Sequence, residues 1–273
     1  MFQVKLIKSG PILEYYSYNL PIRSHNGPSA FNEKWKEEFP DEEEEEVENN
    51  CFYRSKRNAR RLIYCNAWRW FREDGLPYPP FFLTLTFEEN IQDIKLANRI
   101  FSKFIQRFNY MLTGKKKSYL QYLGVLEFQK RGAIHYHIML FNLPYIKDKV
   151  YTTIRELWNK DWRIKLQKVE STEVLSSYLS KYMTKDYEDQ RLAKKKRYFV
   201  TKNILRPEIL RDTYAILSLT GKLKGRLVCE REWDTKYVGH MKYERYVLHQ
   251  EDKIFDLDLD QEAKDAISSI IKE

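Results

Sequence analysis

GVLEFQKRGAIHYHIMLFN, residues 124–142, carries the pattern from which the rest of the chain can be read. Two alternating apolar stretches flank Lys130-Arg131-Gly132, and a three-residue hairpin loop commonly places Gly in the left-handed position. That register pairs residue 129 with 133, hence 127 with 135 and 125 with 137. Side chains two apart on a strand share a face. His135 and His137 therefore project together, with Glu127 directly across from His135. The opposite face (Leu120, Tyr122, Leu126, Phe128, Ile134, Tyr136, Ile138, Leu140) is apolar and is expected to meet helices. The ligand-bearing face is expected to be uncovered. Three protein ligands with open positions leave room for a substrate oxygen on a bound metal. The alternative is a surface hydrogen-bonding cluster on a half-exposed sheet.

Around this hairpin the elements alternate. FFLTLTF (81–87) is rich in aromatic residues and Thr and reads as a strand. From about 92 to 112, Ile94, Ala97, Phe101, Phe104, Ile105, Phe108 and Leu112 recur at three-to-four spacing, which predicts an amphipathic helix stopped by Gly114. A second helix is expected over about 149–159 and a strand over 162–169, where Trp162, Ile164 and Leu166 alternate with Arg163, Lys165 and Gln167. A third helix is expected over 172–186, with Ser171 or Thr172 as N-cap. The order β-α-β-β-α-β predicts an α+β fold of the split βαβ, ferredoxin-like kind, with helices on one face of an antiparallel sheet. Residues 76–210 would form this domain. Residues 1–75 would be an N-terminal extension without clear periodicity before a basic helix over about 51–74. Residues 211–273 would add strands and a tail.

Composition narrows the partners. The net charge is +9, yet residues 41–48 (DEEEEEVE) hold seven acids, so the remainder carries +16. The acidic block reads as a solvated, disordered loop, the alternative being an intramolecular DNA mimic resting on a basic groove. The remainder is rich in aromatics, with 20 Tyr, 15 Phe and 6 Trp, which suits phosphates and unpaired bases. Basic positions Arg57, Arg60, Arg61, Arg163 and Lys165 are candidate DNA contacts. Three scattered cysteines give neither a disulfide framework nor a zinc spacing. There is no 20-residue apolar run and no signal-peptide core, so a cytoplasmic setting without membrane association is expected.

STEVLSSYLSKYMTKD (171–186) places Tyr178 and Tyr182 four apart on one side of the third helix. They occupy a seam between Leu175, Leu179 and Met183 on one side and Lys181 and Lys185 on the other. Such a seam is either two core-edge tyrosines beside snorkelling lysines, or a phenol pair whose neighbouring cations favour phenolate and phosphate.

Three motifs in order, FLTLTF, then GVLEFQKRGAIHYH, then YLSKYMTK, resemble the rolling-circle motifs of the HUH endonucleases. The His135-Tyr136-His137 triplet matches that superfamily's two-histidine strand, with Tyr a mild departure from the usual apolar middle residue. Glu127 resembles the acidic metal ligand of replication initiators. The pattern Tyr178, Lys181, Tyr182, Lys185 is similar to the two-tyrosine initiators of phages and plasmids, and Leu157-Trp158 with Trp162 resembles a pattern of related proteins. The resemblance covers about residues 80–186. It implies a Mg²⁺ or Mn²⁺ ion on Glu127, His135 and His137, zinc fitting the ligand types alone. It also implies a tyrosine that nicks single-stranded DNA at a replication origin through a 5′-phosphotyrosine, with Lys181 and Lys185 assisting.

No GxxxxGK[ST] phosphate loop is present, so a host helicase and polymerase, in a bacterial cell, are the expected partners. Two other readings remain: a transposase or relaxase on the same fold, and a non-catalytic protein that uses the sheet as a stacking platform for single-stranded nucleic acid.

Overall fold

The computed structural model describes residues 1–22, 44–67, 69–144, 149–159, 162–169, 191, 198–235, 238–248, 254 and 257–271. Among them the chain is mixed α+β, with two antiparallel five-stranded sheets and five α-helices. It divides into two compact units, residues 48–205 and residues 1–47 with 206–273. No helix among the described residues is long and apolar enough to cross a membrane.

The 48–205 unit is built on the hairpin. Strands β4 (Tyr122–Phe128) and β5 (Ile134–Leu140) pair with Val125 opposite His137 and Glu127 opposite His135, the register expected from the three-residue loop. Gly132 has φ 87°, and the N–H of Gln129 donates to the carbonyl of Ala133 at 2.8 Å. The loop is also pinned from outside. Arg131 donates to the carbonyls of Phe87 and Glu88 at 2.9 and 3.2 Å and to Oε1 of Gln129 at 3.0 Å. β3 (Phe81–Thr86) pairs with β5, β6 (Ile164–Lys168) pairs with β3, and β7 (Phe199–Val200) extends the far edge at β4. The order β6-β3-β5-β4-β7 is the split βαβ sheet with one added strand, and every pair is antiparallel.

Two crossover helices, α2 (Ile94–Thr113) and α3 (Val150–Trp158), pack on one face. Helix α2 starts where the carboxylate of Asp93 accepts from the N–H groups of Lys95 and Leu96. It stops where Gly114 turns left-handed at φ 65°, as the sequence predicts. Its buried stripe of Ala97, Phe101, Phe104, Ile105 and Phe108 joins Leu83, Leu85, Ile134, Tyr136, Ile138 and Leu140 in one core. Trp158 and Trp162 complete that core, their rings 4.9 and 5.0 Å from Phe87.

The second face is not uncovered, contrary to the sequence-based expectation. Helix α1 (Glu44–Asn66) lays Ala59, Leu62 and Ile63, with Ala67 just beyond its end, against Phe82, Leu123, Val125, Met139 and Phe141. These sheet residues stand on the ligand-bearing face and are apolar, so they need a cover. Helix α1 also begins earlier and ends sooner than the expected 51–74. Part of the acidic block, from Glu44 onward, forms its first turns rather than a disordered loop; Glu is a good helix former and its charge suits a helix N-terminus. At the other end, Asn66 turns its side chain to the backbone of Leu205, donating at 2.9 Å and accepting at 3.0 Å.

The other unit has sheet order β8-β1-β2-β10-β9, from β1 (Phe2–Ser9), β2 (Ile12–Ile22), β8 (Glu208–Leu210), β9 (Leu227–Thr235) and β10 (Gly239–Val247). Residues 1–22, which show no clear periodicity, are thus strands. Their pattern is hidden because both faces are buried: Leu13 and Tyr15 meet helices α4 (Thr213–Lys222) and α5 (Gln261–Ser268), while Tyr16 and Tyr18 pack with Ile7 on the reverse.

Candidate metal centre

Pairing brings the three candidate ligands together from two strands. Glu127 on β4 stands across from His135 on β5, and His137 follows two residues along. One ligand atom from each lies within 4.8 Å of the other two, and these residues form such a group among the described residues. The Glu127 carboxylate also hydrogen-bonds Nε2 of His137.

All three side chains are buried, with exposures of 3%, 9% and 3% for Glu127, His135 and His137. That corrects the expectation of a solvent-facing cluster. Carboxylates and imidazoles are seldom buried unless paired or ligating a cation. The donor set, one carboxylate oxygen and two imidazole nitrogens at mutual metal-ligand spacing, fits a single divalent ion. The alternative of a hydrogen-bonding cluster on a half-exposed surface loses its premise here.

The neighbouring strand β3 contributes a residue that sequence reading passed over. Thr84 is the cross-strand partner of His137, and its Oγ1 lies 3.2 Å from the ring's Nδ1. Phe82, two residues earlier, stacks on the same imidazole at 5.8 Å with an interplanar angle of 20°. The signal was in FLTLTF, whose alternation puts Phe82, Thr84 and Thr86 on one face.

Between the two histidines, the phenol of Tyr136 points to the other side of the sheet. Burial pushes its pKa well above the usual phenol value, and its hydroxyl donates to Oδ1 of Asn98 on α2 at 2.7 Å. A tyrosine is accommodated between the two histidines because Asn98 satisfies its hydroxyl.

Of the basic candidates, Lys165 sits opposite Thr84 on the edge strand β6, one row with His137. Arg163 is its neighbour two residues back, and its carbonyl accepts from the N–H of Thr86 at 3.0 Å. Both side chains are exposed. At about 4.8 Å per strand, these positions are roughly 10 Å from the histidine strand. Arg57 and Arg61 lie elsewhere. They fall on the side of α1 opposite Ala59, Leu62 and Ile63 and so point away from the ligand-bearing face, while Arg60 is half-buried at its flank. Tyr178, Lys181, Tyr182 and Lys185, with the expected third helix, lie outside the described residues.

Comparison with known proteins agrees with this centre's location. A family model for replication-associated proteins of the ORF2 group matches residues 80–187, which include all three candidate ligands. The chain is similar to the Phasyl DNA replicon protein arp of Escherichia coli, with 29% identity over 133 residues. That similarity covers 40% of this chain and 44% of the relative, so the chain spans under half the length of the protein it matches. No solved structure matches the chain. The two sequence findings support a replication-associated role.

Proposed function

We propose that the chain is a replication initiator of the HUH type, a metal-dependent endonuclease and strand-transferase acting on single-stranded origin DNA. The observation that carries this reading is the convergence of Glu127, His135 and His137 within 4.8 Å, inside the segment similar to replication-associated proteins. A Mg²⁺ or Mn²⁺ ion held there supplies Lewis-acid neutralisation of charge on the non-bridging oxygens of the scissile phosphate.

This chain's residues do the rest. Tyr178 or Tyr182 bonds through its phenolate oxygen to the scissile phosphorus as the bond to O3′ breaks. O3′ departs with its electron pair and takes a proton to become a free 3′-OH for a polymerase. Lys181 and Lys185 favour the phenolate by proximity of positive charge. The 5′-phosphotyrosine retains the energy of the phosphodiester, so a later 3′-OH reverses the step and seals a circle. A second tyrosine allows a second cut without release of the strand. Arg163 and Lys165 on the exposed β6 edge hold phosphates leading toward the centre. A host helicase opens the duplex, because this sequence contains no phosphate loop of its own.

The test is cleavage of a single-stranded origin oligonucleotide after chelation and again after Mn²⁺ is restored. The proposal expects no nicking with chelator, recovery with Mn²⁺, and no recovery for His137→Ala. Full nicking under chelation overturns it.

A further inference from the structure

We infer that Thr84 is a positioning residue for the metal centre: its hydroxyl fixes the ring of His137 so that Nε2 stays aimed at the ligand site. The inference rests on the metal-site reading above and names a residue which that reading does not use.

Three observations converge on it. Thr84 lies directly across the β3–β5 ladder from His137, so the backbone sets the distance between them. Its Oγ1 is 3.2 Å from Nδ1, and the other nitrogen of the same ring faces Glu127. The face of the ring rests on Phe82 at 5.8 Å. Edge and face are therefore both held, and rotation about either side-chain bond would break one of those contacts.

The chemistry of the hydroxyl suits this place. An imidazole that ligates through one nitrogen is commonly oriented by a hydrogen bond at the other, and loss of that bond typically weakens metal binding 10–100-fold. A hydroxyl can donate or accept. It therefore meets Nδ1 whether Nε2 carries a proton toward Glu127 or a lone pair toward a cation. A carboxylate could serve only the second case. Threonine is also stiff at χ1, and a β-branched residue suits a central strand, so the contact costs little local order.

The experiment measures Mn²⁺ affinity by titration calorimetry on the wild-type full chain and on Thr84→Val, Thr84→Ser and His137→Ala. Valine keeps the shape and strand preference while deleting the hydroxyl; serine restores the hydroxyl. The expected result is a 10–100-fold weaker Kd for Thr84→Val and recovery to within about threefold for Thr84→Ser. Melting of the metal-free proteins separates the roles, since a purely structural threonine would lower the metal-free Tm and leave the Kd of folded protein unchanged. An unchanged Kd in Thr84→Val, or Thr84→Ser as weak as Thr84→Val, overturns the inference while wild-type binding keeps the metal site. A wild type that binds no Mn²⁺, or binds as well after His137→Ala, overturns the metal-site reading and this inference with it.

Discussion

The carboxylate of Glu127 hydrogen-bonds the imidazole of His137, although the residue facing it across the β4–β5 ladder is His135. The diagonal contact draws the carboxylate between the two rings, whose centroids are 6.2 Å apart. It ties the metal chemistry to the stability of the sheet, because all three groups are buried.

Metal binding should therefore register as folding stability. Mn²⁺ at about 100 times its Kd should stabilise the wild type by about 2.7 kcal/mol. His135→Ala, His137→Ala and Glu127→Ala should lose both that increment and cleavage. Removing one partner of the buried Glu127–His137 pair should itself cost about 1–3 kcal/mol in metal-free protein. Thermal melts with and without Mn²⁺ check this. An equal rise in Tm for His137→Ala and wild type would count against the site.

The hairpin at the centre of this site was legible because a local rule governs it. Gly132 in a three-residue loop set the register, and the register set which side chains meet. The cover over the ligand-bearing face was not anticipated, although its signal was present: Leu123, Val125, Met139 and Phe141 share that face and are too apolar to stand in water. Which helix covers them is a long-range choice that no local pattern encodes. Residues 1–22 were missed for the opposite reason, since strands buried on both faces show no alternation. Thr84 went unnoticed because its role depends on pairing between β3 and β5, which periodicity does not reveal.

The basic edge of the sheet should contribute an electrostatic, sequence-independent share of binding. Replacing Arg163 and Lys165 together by Gln should reduce the slope of log affinity against log salt by about 1.4 for single-stranded DNA, at about 0.7 per phosphate contact. Fluorescence anisotropy across a salt series measures it. A slope unchanged from wild type would remove these residues from the interface. Replacing Arg57 and Arg61, which point away from the ligand-bearing face, tests whether that side of α1 also meets DNA.

Gly124 is required by its neighbour on β7. A Cβ there would lie 2.3 Å from the Phe199 ring, which is packed against Tyr122, Tyr136 and Phe101. Gly124→Ala should cost about 1–3 kcal/mol through overpacking. Combining it with Phe199→Leu should cost less than the sum of the two single changes, because the smaller side chain relieves the overlap. Additive costs in chemical denaturation would argue against the clash.

Alkaline stability should fall through buried phenols. Burial raises the pKa of Tyr122 to about 12 and that of Tyr136 well above its usual value. Unfolded, both ionise near 10, so the folded state holds protons that the unfolded chain releases. The contribution is fully present below about pH 10 and is lost as pH climbs through the folded values. Tyr136→Phe should flatten this alkaline decline, at a cost near neutrality of about 0.5–1.5 kcal/mol for the bond to Asn98. Denaturant midpoints from pH 8 to 11 would show it, and an identical decline in the variant would contradict it.

The covalent adduct tests the central claim most directly. An origin-bearing single strand is incubated with the full chain and Mn²⁺, digested, and the DNA–peptide conjugate mapped by mass spectrometry. The account predicts a 5′-phosphotyrosine at Tyr178 or Tyr182, absent with chelator and absent in His137→Ala. Tyr178, on the side of Lys181 and Lys185, should carry most of the first adduct, so that Tyr178→Phe removes most of it, Tyr182→Phe spares it and the double variant yields none. An adduct on Tyr182 alone would exchange the two roles. An adduct on any other tyrosine, or one that forms equally without metal, would contradict the account.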